Sequence, residues 1–529
     1  MGVRAGRFHA PSWYHRGRPS VLRPTECPDC VVSYPNPLVP GFNPDPSVVR
    51  VGDDFYLATS TFEYLPGIPI YHSRDFITWT QVGNVATRVG QLDVETVPTA
   101  GGAWAPTIRH RDGLFHLVIT DAFGRGTLHF TAERAEGPWS DGVVFDGVDG
   151  IDPDLVWDED GTAYLTFSGL GVNPELPTFM SHRGLLQAKV DLETGRALEQ
   201  ARSIWSGGGG QFPEAPHLYQ IGDWWYMVIA EGGTERGHSV NVARSKSPEG
   251  PFEPAPGAPL LTARGTDRPI QNTGHGDLVV GPDGDWLLVL LGVRPRSMTR
   301  AFSALGRETF VTRVSWENEW PVFEPVQLTP RPGPFEYLDE FDGPLADQWM
   351  AVRRLPESIA STEVRPGWLT VRADGSTLSD PIPSFIGRRQ QHQTARCTVD
   401  IDVAAGVGGI AVRYDERFHY SVVAGAGAVT ARACIPGFER VAVLEYSGTE
   451  LQLELTSRRP EAGSKFGSSA SDIVELAAII EGNRTVLLEV DGRYLSSEVA
   501  ESFTGRVVGV VALAGEVCVD RFAYAGSDD

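Results

Sequence analysis

The chain has 529 residues, 41% hydrophobic and 21% charged, with a formal net charge of −23. That length and composition suit a soluble globular protein of two or more domains. The acidic balance argues against nucleic acid or an anionic membrane surface as partner and suits a neutral ligand. No apolar run is long enough to span a bilayer.

Residues 1–33 are rich in Arg, His and Pro and lack hydrophobic periodicity. They are expected to form a flexible N-terminal extension. With no apolar h-region they do not read as a secretory signal, so a cytoplasmic location is expected. Cys27-Pro-Asp-Cys30 is a C-x-x-C without a second half, and the five cysteines are sparse and odd in number. Neither a zinc site nor a disulfide framework is predicted.

From residue 34 to 328 strand-like phrases dominate, and five are near copies: Gly52–Ser60, Asp112–Thr120, Asp160–Ser168, Gly222–Ala230 and Gly284–Gly292. Each is a Gly/Asp turn followed by an aromatic and aliphatic run. Their spacing is that of a radial repeat, which predicts a five-bladed β-propeller. A second phrase, ending at Trp79, Trp139 and Phe252, fits the outer part of a blade. Counting back about a dozen residues from the middle of each main phrase gives Asp45, Trp104, Asp152, Glu214 and His275. Taken singly, an Asp beside Pro is most often a turn residue and a Trp most often core. Their common offset in five blades favours one axial cavity. Several carboxylates in a partly dry pocket shift one another's pKa, so that one serves as acid and another as base. Glycoside hydrolysis needs such a pair. Phe62 and Trp104 would supply a face for a sugar ring.

Pro330-Arg-Pro-Gly-Pro334 marks a stiff linker, placed at 329–337. Residues 338–529 alternate as strands, as in Thr398–Val403, Leu451–Leu455 and Thr485–Val490, and predict a two-sheet sandwich. Gly463–Ser471 reads as a mobile loop. The fold class expected is all-β: a five-bladed propeller followed by a concanavalin-like jelly roll.

The phrases Gly41-Phe-Asn-Pro-Asp-Pro-Ser47, Ala58–Glu63, Trp104-Ala-Pro106, Glu214–Tyr219, Ala230–Thr234, Gly274-His275 and Leu305–Thr309 occur in order. Through them the chain resembles glycoside hydrolase family 43, closest to its two-domain β-xylosidases. Phe341-Asp-Gly343, Arg365–Leu369, Arg388-Arg389 and Phe503-Thr-Gly505 extend the resemblance to the sandwich. The resemblance implies an inverting, exo-acting enzyme with Asp45 as general base, Glu214 as general acid and Asp152 tuning and orienting that acid. It implies substrate contacts from Phe62, Trp104, Thr234, His275 and Arg307, and a wall supplied by Phe503. No cofactor is required. His275 is read as a hydrogen-bonding member of the site in preference to a neighbour of bound calcium. The substrate expected is a β-1,4-xylo-oligosaccharide cleaved at its non-reducing end. The alternative is an α-L-arabinofuranosidase or a bifunctional enzyme, and a non-catalytic sugar-binding propeller is disfavoured because all three acidic positions are present. A β-fructosidase and a sialidase lack their phrases. A homo-oligomer is left open. Two departures bear on substrate identity: Ala215 where the family has Gly, and the unmatched stretch Leu170–Arg183.

Overall fold

A computed structural model describes residues 33–172, 180–297, 302–460 and 471–528. Residues 1–32 with Cys27 and Cys30, most of the expected loop Gly463–Ser471, and the middle of Leu170–Arg183 lie outside the described residues. Among those described, no helix is long and apolar enough to cross a membrane.

Five antiparallel sheets are formed in succession between Ser47 and Phe323. Their first strands, Ser47–Val51, Gly102–Arg111, Gly150–Trp157, Glu214–Ile221 and Gln271–Val280, touch one another in cyclic order, with the fifth against the first. The sheets are therefore the blades of a closed propeller, and these strands surround its axis. Each repeated phrase spans the first hairpin turn and the second strand of a blade. The turn glycines Gly52, Gly113, Gly161, Gly222 and Gly284 all have φ between 60 and 84°, a backbone that favours glycine. The second phrase falls between the third and fourth strands in blades one, two and four, where Trp139 and Phe252 are buried. The ring is latched by Asn36: it forms a bridge with Thr329, its amide nitrogen donates to Val311 O at 2.8 Å, and its carbonyl accepts from Val311 N at 2.9 Å.

The axis is filled by polar groups below the mouth. Arg109 from blade two donates to Asp154 of blade three at 2.5 Å and Asp277 of blade five at 3.1 Å. It also meets His217 Nδ1 of blade four at 3.1 Å. Ser47 of blade one donates to Asp277 at 2.6 Å. Burial alone would lower the Arg109 pKa, but the two carboxylates outweigh it and hold the guanidinium charged. Asp277 is correspondingly driven down to about 2: burial opposes ionisation and the Arg109 charge overcomes it.

The sandwich is a single hydrogen-bonded system that turns back on itself through its last strand, Val507–Ser527, which belongs to both sheets. Its interior packs Trp349, Tyr420, Leu453 and Phe522. The linker expected over 329–337 ends early, because Phe335–Asp339 already pairs with that last strand. The two units are joined by main chain as well: Tyr64-Leu65 of the propeller pairs with Met350–Val352 of the sandwich. A shared apolar cluster including Phe42, Phe62, Tyr64, Val352 and Phe385 fills the joint. Arg294 grips Glu308 through two bonds of 2.8 and 2.9 Å and Asp528 of the sandwich at 2.7 Å.

Removing Arg109 leaves Asp154 and Asp277 buried without their cation. Arg109→Met is expected to destabilise the protein by about 3–5 kcal/mol, the usual cost of breaking a buried pair on one side. Urea denaturation followed by tryptophan fluorescence measures it, and an unchanged midpoint contradicts the axial role.

Candidate active site

Each innermost strand has, just before it or within its first five residues, a residue in the left-handed region: Asp45 (φ 55°), Ala105 (44°), Asp152 (55°), Ala215 (52°) and His275 (51°). In blades two to five the strand pairing shifts register at this point, a bulge that re-aims side chains toward the mouth. The equivalence expected from sequence is thus one residue off in two blades: Ala105 and Ala215 match Asp45, Asp152 and His275. Trp104 and Glu214 come one position earlier. They still reach the cavity because the residue after each carries the reversed backbone. Ala215 adopts this conformation at a cost of roughly 1 kcal/mol relative to glycine. In return its N–H points at Asp152 Oδ2, 3.1 Å away.

Asp45 stands between two prolines and is buried. Its Oδ2 accepts from Ser60 Oγ at 2.6 Å, and its Oδ1 accepts from Arg307 Nη1 at 3.0 Å. His275 Nδ1 lies 3.6 Å from the same Oδ1. Burial pushes the Asp45 carboxyl up, but Arg307, then His275 and the Ser60 hydroxyl outweigh it and hold the group below its usual range. Glu214 has the opposite environment: burial, then the charges of Asp152 and Asp45, raise it well above the ordinary carboxylate range. Asp152 is pushed up to about 7 by burial and by Asp45, against the pull of the Ala215 N–H and Arg307. One cavity therefore holds an ionised carboxylate and a retained proton at neutral pH.

The aromatic wall comes from both units. Phe62 lies 6.3 Å from Trp104 and 6.1 Å from Phe503, and Trp104 lies 5.9 Å from Phe503, between ring centroids. Phe503 is 40% exposed, open to the cavity instead of packed in a core. Its loop is held by Glu498, whose two oxygens accept from Ser303 N and Oγ, both at 2.7 Å. A side chain at Gly306 would sit 2.4 Å from Thr504 O, and one at Gly505 would sit 2.4 Å from Leu305 O. The two backbones therefore touch beside Arg307. The Arg307 guanidinium lies over Phe62 and Phe503 and donates to Thr234 Oγ1 at 2.9 Å. Its buried Nε has no hydrogen-bond partner among the described residues.

All nine residues singled out from sequence thus meet in or around one cavity. Three more belong with them. Ser60, inside the phrase Ala58–Glu63, links Asp45 to the Ala105 N–H, which donates to it at 2.7 Å. His238 packs on Gly274, where a side chain would come within 2.5 Å of its ring. Phe123, 72% exposed, stands edge-on to Trp104 at 6.1 Å at the rim. Its place after the second strand of blade two was the available signal. Calcium takes six to eight oxygen ligands. Close to His275 the buried atoms without partners among the described residues include Nε2 of His217 and of His238 and Oγ1 of Thr273. Among the described residues no three His, Cys, Asp or Glu side chains converge to hold a metal ion.

An aromatic wall at a propeller mouth, beside one carboxylate held ionised and another held protonated, is the apparatus of a glycoside hydrolase. The profile of Glycosyl hydrolases family 43 matches residues 34–321, and that of the Beta xylosidase C-terminal Concanavalin A-like domain matches 338–525. The chain belongs to glycosyl hydrolases family 43 and is an inverting, exo-acting glycoside hydrolase that acts on oligosaccharides. It is 35% identical over 507 residues to the non-reducing end alpha-L-arabinofuranosidase of Bacteroides ovatus, covering 91% of both chains. It is also 35% identical to a putative beta-xylosidase of Escherichia coli, over 68% of this chain and 72% of that one. The crystal structure of xylan beta-1,4-xylosidase from Bacillus halodurans superposes with a TM-score of 0.82 at 30% identity, covering 93% of this chain and 100% of that one.

Burial lowers His275 to about 3 and His238 to about 4, so both stay neutral in the site. An unfolded histidine titrates near 6.5. Between pH 6.5 and 4 the unfolded state therefore binds more protons, and stability falls as pH falls through that window. Nitrogen-15 NMR should show both imidazoles neutral at pH 5, and a protonated His275 there contradicts the site as described.

Proposed function

We propose that the protein releases xylose from the non-reducing end of β-1,4-xylo-oligosaccharides, with Asp45 as general base, Glu214 as general acid and Asp152 as the group that tunes and orients the acid. The observation that carries this reading is the split in charge. Arg307 keeps Asp45 ionised, while burial with Asp152 and Asp45 nearby keeps the proton on Glu214. Asp45 takes a proton from water as its oxygen attacks the anomeric carbon from the face opposite the leaving group. The glycosidic C–O bond breaks, and Glu214 gives its proton to the departing oxygen. The pentose leaves with inverted configuration, and solvent returns the proton from Asp45 to Glu214. Asp152, bonded to the Ala215 N–H, sets the backbone next to the acid. The Arg307 guanidinium, between Phe62 and Phe503, would meet the hydroxyls of the bound sugar. Phe62, Trp104 and Phe503 close on the terminal ring, with Thr234 holding Arg307 and His275 standing beside Asp45. Phe123 at the rim is placed to meet the next sugar.

A second reading is release of α-L-arabinofuranose. It is favoured by the identity to the Bacteroides ovatus enzyme along nearly the whole chain, and by the similar hydroxyl patterns of the two pentoses. The ratio of kcat/KM on nitrophenyl β-xyloside and nitrophenyl α-arabinofuranoside decides between them.

Glu214→Gln removes the proton donor. Its kcat is expected to fall by roughly 10²–10⁴ on alkyl xylosides and far less on aryl xylosides with good leaving groups. Asp45→Asn is expected to fail on all of them. Equal loss across leaving groups in Glu214→Gln would remove the acid assignment.

Proton NMR of the first product formed from a β-xyloside should show α-xylose before mutarotation. The appearance of β-xylose first overturns the single-displacement scheme.

A further inference from the structure

A second cavity, of about 650 Å³, lies between the outer edge of blade one, the chain joining the two units and the sandwich. It shares no lining residue with the catalytic cavity. Its volume is that of a small-molecule site, and domain junctions are where such sites concentrate.

The lining is aromatic with neutral polar groups between. Trp79, Phe335, Tyr337, His392 and Tyr524 all border it. Phe335 is 42% exposed and stacks on His392 at 5.2 Å and 24°, which makes a flat apolar platform. Thr78, Gln348 and Gln391 stand around that platform. The side-chain amides of Gln348 and Gln391, both partly exposed, make no hydrogen bond among the described residues.

Three arginines border this cavity, and none is paired with a carboxylate among the described residues. Arg331 donates to the carbonyls of Pro37, Leu38 and Ile77. Arg389 donates to Phe42 O at 2.6 Å, and the Arg388 guanidinium lies flat over Tyr337 at 3.4 Å. Burial lowers His392 to about 4, so it adds no charge. Asp528 at the edge is tied to Arg294. A neutral, hydroxyl-rich ligand with one apolar face fits both the platform and the free amides.

We propose that this cavity is a second saccharide site, distinct from the catalytic one, which binds a short neutral oligosaccharide without cleaving it. The site follows from its lining; taking pentose oligomers as its ligand rests on the substrate proposed above.

Full-length protein carrying Glu214→Gln is titrated by calorimetry with xylotriose and, separately, with arabinotriose. Two binding events are expected with at least one of them. Thr78→Trp, which sets an indole at the cavity from an exposed position, should abolish one event. Gln348→Ala and Phe335→Ala should each weaken that event about tenfold, the loss of one good contact. Phe62→Ala should remove only the other event. If neither oligomer gives an event sensitive to Thr78→Trp, the second site is wrong. Failure of the substrate reading is seen separately, as failure of the wild-type protein to cleave an aryl β-xyloside.

Discussion

Arg109 reaches the propeller axis from blade two and meets groups from the other four blades there: Asp154, His217, Asp277 and, at 3.5 Å, Ser47. Tyr219 adds a further bond to Asp277 from its hydroxyl. Propeller blades pack face to face through apolar side chains, which fix distance but little else. The axial knot fixes rotation, because each bond in it has one direction and a narrow length. Two buried carboxylates are tolerable only while the guanidinium lies between them, so the five blades are committed to one mutual arrangement.

The catalytic layer is built two residues closer to the mouth on the same strands. Ser47, Asp154, His217 and Asp277 each follow a left-handed residue, respectively Asp45, Asp152, Ala215 and His275. The strands that tie the knot thus also aim the carboxylates. This shared frame allows a site with strong internal repulsion. Glu214, Asp152 and Asp45 would relax apart on mobile loops. On strands held at the axis they keep the proximity that separates their pKa values. The frame extends sideways as well. Asn43, just ahead of Asp45, accepts from Tyr71 OH at 2.7 Å and from Thr59, and Phe42 O is held by Arg389 of the sandwich.

The fold and the three carboxylates were legible in the sequence for a local reason. A hairpin turn that needs a left-handed glycine, followed by a buried second strand, leaves the same phrase in each blade. An Asp held by prolines leaves another. The one-residue offset at Trp104 and Glu214 was not legible, because a bulge changes which residue faces inward without changing composition. Arg109 was passed over for a different reason: its partners lie 45, 108 and 168 positions away, each on another blade. Ser60 and His238 likewise matter through partners on a neighbouring blade, Ala105 and Asn272. The early start of the sandwich at Phe335 was hidden by the prolines before it. Its strand is specified by the far end of the chain, Phe522–Gly526.

The fused sandwich has a consequence for which end of a sugar chain the site can accept. Phe503 belongs to the sandwich, yet its backbone oxygen accepts from Arg307 at 3.4 Å and its ring faces Phe62 and Trp104. A wall donated by a loosely tethered domain would open with every excursion of that domain. Here excursion is opposed at several independent points: the strand pairing of Tyr64-Leu65 with Met350–Val352, the Arg294–Asp528 pair and the close approach of Gly306 to Thr504. With the wall fixed, the Phe503 ring stays against Phe62 and Trp104 beside the carboxylates, an arrangement suited to a terminal ring. Exo-action in this protein is thus a property of the joint between the two units as much as of the propeller that carries the carboxylates.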